Sequence, residues 1–221
     1  MCFGGLFVSF SRGAWLGAGA ALAVLAIGWV LGAPAGSRTR TLARWALPLG
    51  LLVVLGITAG VVLTLRGGVV GGSTPPRLLI WGEALQLIRL HPLGLGLDQF
   101  FYYHNPTYGR NLIDPALLSL SDQNAKHPHN LVFELWLLLT PLGLVAVVWL
   151  LVRFARRGVA AVRAAPRREA GLLALGALAA MAAALTHGLV DTFYFWPDIA
   201  FTFWLLLALV DGFAADQAGV Y

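Results

Sequence analysis

The chain has 221 residues, of which 59% are hydrophobic and only 11% charged, with a net charge of +5; its mean hydropathy is +0.79. A soluble domain carries about twice that charge, so the composition excludes a soluble enzyme and predicts an all-α integral membrane protein. In so apolar a chain the positive balance points to topology and anionic ligands at a membrane rather than to nucleic acid, and the lone Cys2 excludes an internal disulfide and a cysteine-based metal site.

In chain order, "MCFGGLFVSF" at 1–10 is apolar but too short to cross, and it lacks the basic start of a signal peptide. It reads as the end of a helix that begins before Met1. Residues 13–33, 45–65, 131–152, 170–190 and the shorter 193–210 are apolar runs of spanning character. The third contains Glu134, the fourth His187, and the fifth Asp198 near its start. No run alternates with period two, which disfavours a barrel. The expected architecture is about five transmembrane helices plus a partial N-terminal helix, forming a single membrane domain over 1–221 with a long outer loop at 66–126.

That loop opens on "RGGVVGGSTPP" and continues as "RLLIWGEALQLIRLH". Glu83, Gln86 and Arg89 recur at i, i+3, i+6 among apolar residues, the pattern of a helix lying in the interface. "PLGLGLDQF" ends it, with Gly94 and Gly96 suited to a tight turn. It carries half of a dinucleotide fingerprint but follows no strand, so that reading is rejected. "FFYYHNPTYGRN" suits an aromatic belt at the headgroups better than a platform for stacking on sugars.

Arg38, Arg40 and Arg44 lie in one link, and Arg153, Arg156, Arg157, Arg163, Arg167 and Arg168 in another; together they are nine of the fifteen basic residues. The positive-inside rule assigns both links to the cytoplasm. The loop 66–126, the stretch "NAKHPHNLVFELW" and the corner "THGLVDTFYFWPD" then face outside. Ionisable groups at the edge of a span are costly and are functional candidates by default.

His127 and His129 suit either hydrogen bonding at a helix start, with Asn130 as N-cap, or general-base chemistry near neutral pH. No second cluster has the spacing of a metal site. Arg12 and Arg77 suit either snorkelling anchors or phosphate clamps, since a guanidinium offers a permanent bidentate fork. His187 and Asp191 stand at i, i+4, where one helix face would bring them together. Glu134, one turn inside its span, has to be neutral, paired or turned to a cavity. These residues together suit an anionic, lipid-borne substrate and transfer to a hydroxyl.

"SRGAWLG" at 11–17, "RLLIWGEALQLIRLHPLGLGLDQF" at 77–100, "HPHNLVFELWLLLTPLGL" at 127–144 and the closing "THGLVDTFYFWPDIAFTFWLLLAL" resemble, in order and rough spacing, the O-antigen ligase and polymerase superfamily. Its members have about a dozen spans, and this chain resembles their C-terminal half. The resemblance implies a glycosyltransferase of the inner or plasma membrane, working on the outer or periplasmic face without metal or cofactor and inverting the anomeric centre. It implies a donor glycan on undecaprenyl diphosphate and an acceptor hydroxyl on a glycan, glycolipid or protein. It makes His129, directly before Asn130, the catalytic base, and Arg12 and Arg77 the diphosphate-binding residues. His127, Asn130, His187 and Asp191 complete the expected substrate-binding set. A polysaccharide polymerase and a protein O-glycan ligase share these blocks. A small-anion transporter of the bicarbonate type is the rival of another class, but it calls for polar residues at mid-membrane, whereas here they gather at one face.

Overall fold

The computed structural model describes residues 11–32, 38, 74–108, 112, 122–164, 169–191 and 197–217. Among them every regular element is helical: α1 Arg12–Leu31, α2 Thr74–Leu90, α3 Phe100–His104, a 3-10 turn Pro106–Tyr108, α4 Leu131–Ala164, α5 Glu169–Gly188 and α6 Pro197–Gln217. α1, α4 and α5 are long and apolar enough to cross a membrane, and α6 carries a shorter apolar stretch, Ile199–Phe213. Four of the five expected spans thus fall on helices. The expected span at 45–65 and the apolar 1–10 lie outside the described residues.

The chain divides into two compact units. One comprises Met1–Leu63, Leu151–His187 and Tyr194–Tyr221. In it Phe154, Ala177, Met181 and Val210 form one buried cluster, and Ala161, Val162, Ala174 and Leu175 a second. Small residues let the helices close up: a Cβ on Gly17 would lie 2.7 Å from the Ala183 carbonyl oxygen, and one on Gly158 would lie 2.8 Å from Leu178. Close approach over glycine is how apolar helices gain contact when lipid and side chain are equally apolar.

α4 overturns one expectation. The span expected to end at Val152 continues to Ala164, so Arg153, Arg156, Arg157 and Arg163 stand on the helix rather than in a link. Alanine, valine and arginine continue it with no proline until Pro166, which disfavours helix at the residue before it. Arg153 and Arg157 both bond the Asp211 carboxylate of α6, at 3.0 and 2.7 Å.

The other unit comprises Thr64–Leu150 and Gly188–Phe193. Its core is Ile80, Ala84, Leu87, Phe100, Ala125 and Leu137. Residues 80, 84 and 87 are one stripe of α2, as a helix of the expected period requires. Glu83 corrects the expected polar stripe: Gln86 and Arg89 are exposed, but Glu83 is buried. Its carboxylate meets His104 Nδ1 and accepts from the Leu112 amide at 3.1 Å, so what reads as a solvated charge is a paired core group.

Within α4, Thr140 leaves helical geometry at φ 70, ψ 169, directly before Pro141. Proline has no N–H, so the Leu137 carbonyl four residues earlier loses its helical donor. The Gly94–Gly96 turn supplies replacements: the amides of Leu95 and Gly96 donate to Leu137 O at 2.7 and 3.1 Å. Gly94 has φ 85, and a Cβ there would sit 2.8 and 2.9 Å from the carbonyl oxygens of Trp136 and Leu137. Only glycine fits so close an approach of backbones. The tight turn expected at Gly94 and Gly96 is present and docks on the proline break.

Candidate functional site

The stretch before α4 is anchored residue by residue. Asn130 is the N-cap, its Oδ1 accepting from the amides of Val132 and Phe133 at 3.0 and 3.2 Å. Its Nδ2 donates to the Leu189 carbonyl at 2.9 Å, tying the short segment after α5 to the start of α4. Pro128 is fully buried. His129 has φ 50, a left-handed conformation in which histidine is commoner than most non-glycine residues. Trp81 Nε1 of α2 donates to the His129 carbonyl at 3.3 Å.

Thus held, the His129 ring meets Asp191, with Nδ1 2.9 Å from Oδ1. Arg77 Nη2 donates to the other carboxylate oxygen at 3.2 Å. The side chains of His129, Asp191 and Arg77 are 28, 33 and 29% exposed, so a ligand can reach them. A carboxylate accepts, so the neutral imidazole carries its proton on Nδ1 and its lone pair on Nε2. Among the described residues Nε2 has no hydrogen-bond partner.

Asp191 is brought here by an irregular segment. α5 stops at Gly188 and Asp191 lies in the bend beyond it, so His187 and Asp191 do not share one continuous helix. His187 is the penultimate residue of α5, in the unit that does not contain Asp191. Arg12 is the first residue of α1, which Ser11 caps by accepting from the Ala14 amide at 3.2 Å. The Arg12 side chain is outside the described residues.

His127 is bonded from Nδ1 to Glu134 Oε1 at 2.8 Å, which answers how a carboxyl group is tolerated one turn inside α4. That hydrogen bond, opposed by partial burial and helped by charge on Glu134 and Asp98, raises the His127 pKa above its ordinary 6.5. A second buried pair, Glu83 and His104, is one that the sequence does not announce. His104 stacks on Phe100 at 5.4 Å and reaches the Asp122 carbonyl from Nε2 at 2.6 Å. Burial presses its pKa down, but Glu83 and the Asp122 carbonyl outweigh burial and leave it raised. The one signal in the sequence is Glu83 itself, set among Ile80, Ala84 and Leu87. Among the described residues no group of three or more His, Cys, Asp or Glu gathers as metal ligands.

The fold and this polar array define a helical membrane protein with a histidine–aspartate–arginine cluster at the start of α4. Residues 1–148 match the O-antigen ligase family, and the chain belongs to it. The match includes Arg12, Arg77, His127, His129 and Asn130 and ends before His187 and Asp191. Neither the curated proteins nor the solved structures yield a match.

Proposed function

We propose that this protein is a membrane glycosyltransferase that moves a glycan from undecaprenyl diphosphate to a hydroxyl acceptor on the outer face of the inner or plasma membrane. The observation that carries the reading is the hydrogen-bonded series Arg77–Asp191–His129, which occupies Nδ1 of a partly exposed ring and leaves Nε2 as its basic nitrogen. Membership of the O-antigen ligase family supports the same class of reaction.

In this reading the acceptor hydroxyl gives its proton to His129 Nε2 as its oxygen bonds the anomeric carbon. The bond from that carbon to the diphosphate oxygen breaks, and the diphosphate leaves with the electron pair. One displacement inverts the centre. Asp191 fixes the useful tautomer and stabilises the imidazolium that forms. Arg77 gives one N–H to Asp191 and keeps the rest of its fork for phosphate oxygens. The resemblance gives Arg12 a diphosphate-binding role as well. The developing negative charge meets guanidinium groups, so the step needs no metal. Lipopolysaccharide core, a growing polysaccharide and a protein serine or threonine are the acceptors to compare.

The test is incubation of the purified protein with glycan-linked undecaprenyl diphosphate and each acceptor class in turn. Donor-dependent glycosylation of one class is expected. Donor hydrolysis without transfer, or no consumption of donor with any acceptor, contradicts the proposal.

A further inference from the structure

Glu134 has no exposed surface, and among the described residues its Oε2 has no hydrogen-bond partner. A carboxyl group so placed in an apolar helix is costly. Its other oxygen meets His127 Nδ1, whose side chain is 23% exposed. Among the described residues His127 Nε2 has no hydrogen-bond partner. Glu134 therefore holds one nitrogen of a partly exposed ring, two residues from His129, and leaves the other for a ligand. Glu134 at Nδ1 favours protonation of the ring, and while protonated the ring carries a proton on both nitrogens and offers Nε2–H as a charge-assisted donor. The other charged groups acting on the ring are Asp98, which favours its protonation, and Lys126, which opposes it; both are exposed.

We infer that His127, held as an imidazolium by the buried Glu134, is an anion-binding residue that donates from Nε2 to a phosphate oxygen of the lipid-linked donor. This division of labour rests on the proposed reaction. His129, with Asp191 on Nδ1 and an open lone pair, takes the acceptor proton. His127 binds the diphosphate and takes no proton from the acceptor. Donor affinity should then depend on pH in a direction set by His127: strong while the ring is protonated, weaker as pH rises through its titration. Removing the Glu134 charge removes the main cause that keeps the ring protonated, so the weakening should move to lower pH.

The test uses glycan-linked undecaprenyl diphosphate in lipid nanodiscs. Both its phosphates are esterified, so its own charge is constant over the range. Binding is measured from about pH 5 to pH 9, a range that brackets the ordinary histidine titration. The background is His129→Ala, in which transfer is slowed and the neighbouring imidazole is removed, with thermal melting as a check on folding. The expectation is a loss of affinity of about 10-fold as pH rises, the size of one charge-assisted hydrogen bond. Glu134→Gln should shift that loss to lower pH. His127→Ala should bind weakly at every pH, and His127→Arg tightly at every pH. His104 titrates alike in all of these proteins and cancels in the comparison. Affinity that is flat with pH while donor still binds, or a well-folded His127→Ala protein that binds as tightly as its parent, would overturn the role of His127 alone. No donor binding at any pH by a protein with both histidines intact would overturn the glycosyltransferase reading along with it.

Discussion

At the scale of single residues, the proposed reaction turns on which nitrogen each histidine leaves open. His129 and His127 stand two positions apart, and each has a carboxylate on Nδ1: Asp191 for the first, Glu134 for the second. Both histidines and the N-cap at Asn130 are legible in the sequence, because a polar cluster at the head of an apolar run marks a helix start or a site, and here Asn130 caps α4. The partner of His129 is not legible. Asp191 is 62 positions away and comes into place only because α5 stops at Gly188, and no local periodicity encodes a bond across that separation. Asp191→Asn keeps the shape but allows the ring to flip tautomer, so transfer should fall about 100- to 10,000-fold with donor affinity little changed. Arg77→Lys should lose affinity as well, because an ammonium cannot bridge Asp191 and a phosphate as a planar fork does. Parallel binding and single-turnover assays on the two variants check this; equal losses of affinity in both would count against the separate roles.

Among the elements, α2 and α4 are held by pairs that pattern alone presents as ordinary. Gly94 and Gly96 are legible as a turn, and Pro141 is visible, but their connection is not. It depends on a carbonyl at Leu137 that the proline leaves without a helical donor. Gly94→Ala should destabilise the protein by more than about 1 kcal/mol, since it adds a side chain at positive φ against two carbonyl oxygens; thermal unfolding in detergent measures this. Glu83 reads as solvated because helical spacing reports a face and not what packs against it. Breaking its buried pair by His104→Ala should cost about 3–5 kcal/mol, because a buried carboxylate is left uncompensated. The His104 pKa is raised in the folded protein, so its contribution is fully present below the ordinary value of 6.5 and is lost as pH rises through the folded value. Unfolding of wild type should therefore grow easier on the alkaline side, and the His104→Ala protein should lack that component.

For the whole molecule, composition and run length are enough to read an all-α membrane protein, since hydrocarbon leaves few structures that satisfy every backbone group. The arginine asymmetry predicts the sidedness that the proposed reaction needs. With Cys2 replaced by serine, cysteine at Ser73 should react with an impermeant thiol reagent in whole cells, and cysteine at Ser37 should react only after permeabilisation. The reverse pattern would put the histidines on the wrong side for a periplasmic acceptor. What run length does not give is the end of α4, because the arginines that mark a membrane boundary are also good helix formers. The role of His129 as general base is tested most directly by single-turnover glycan transfer with the His129→Ala protein at saturating donor. The expected rate is about 100- to 10,000-fold below wild type, with donor affinity almost unchanged. Transfer at the wild-type rate would contradict that role and leave His129 as a residue that shapes the start of α4.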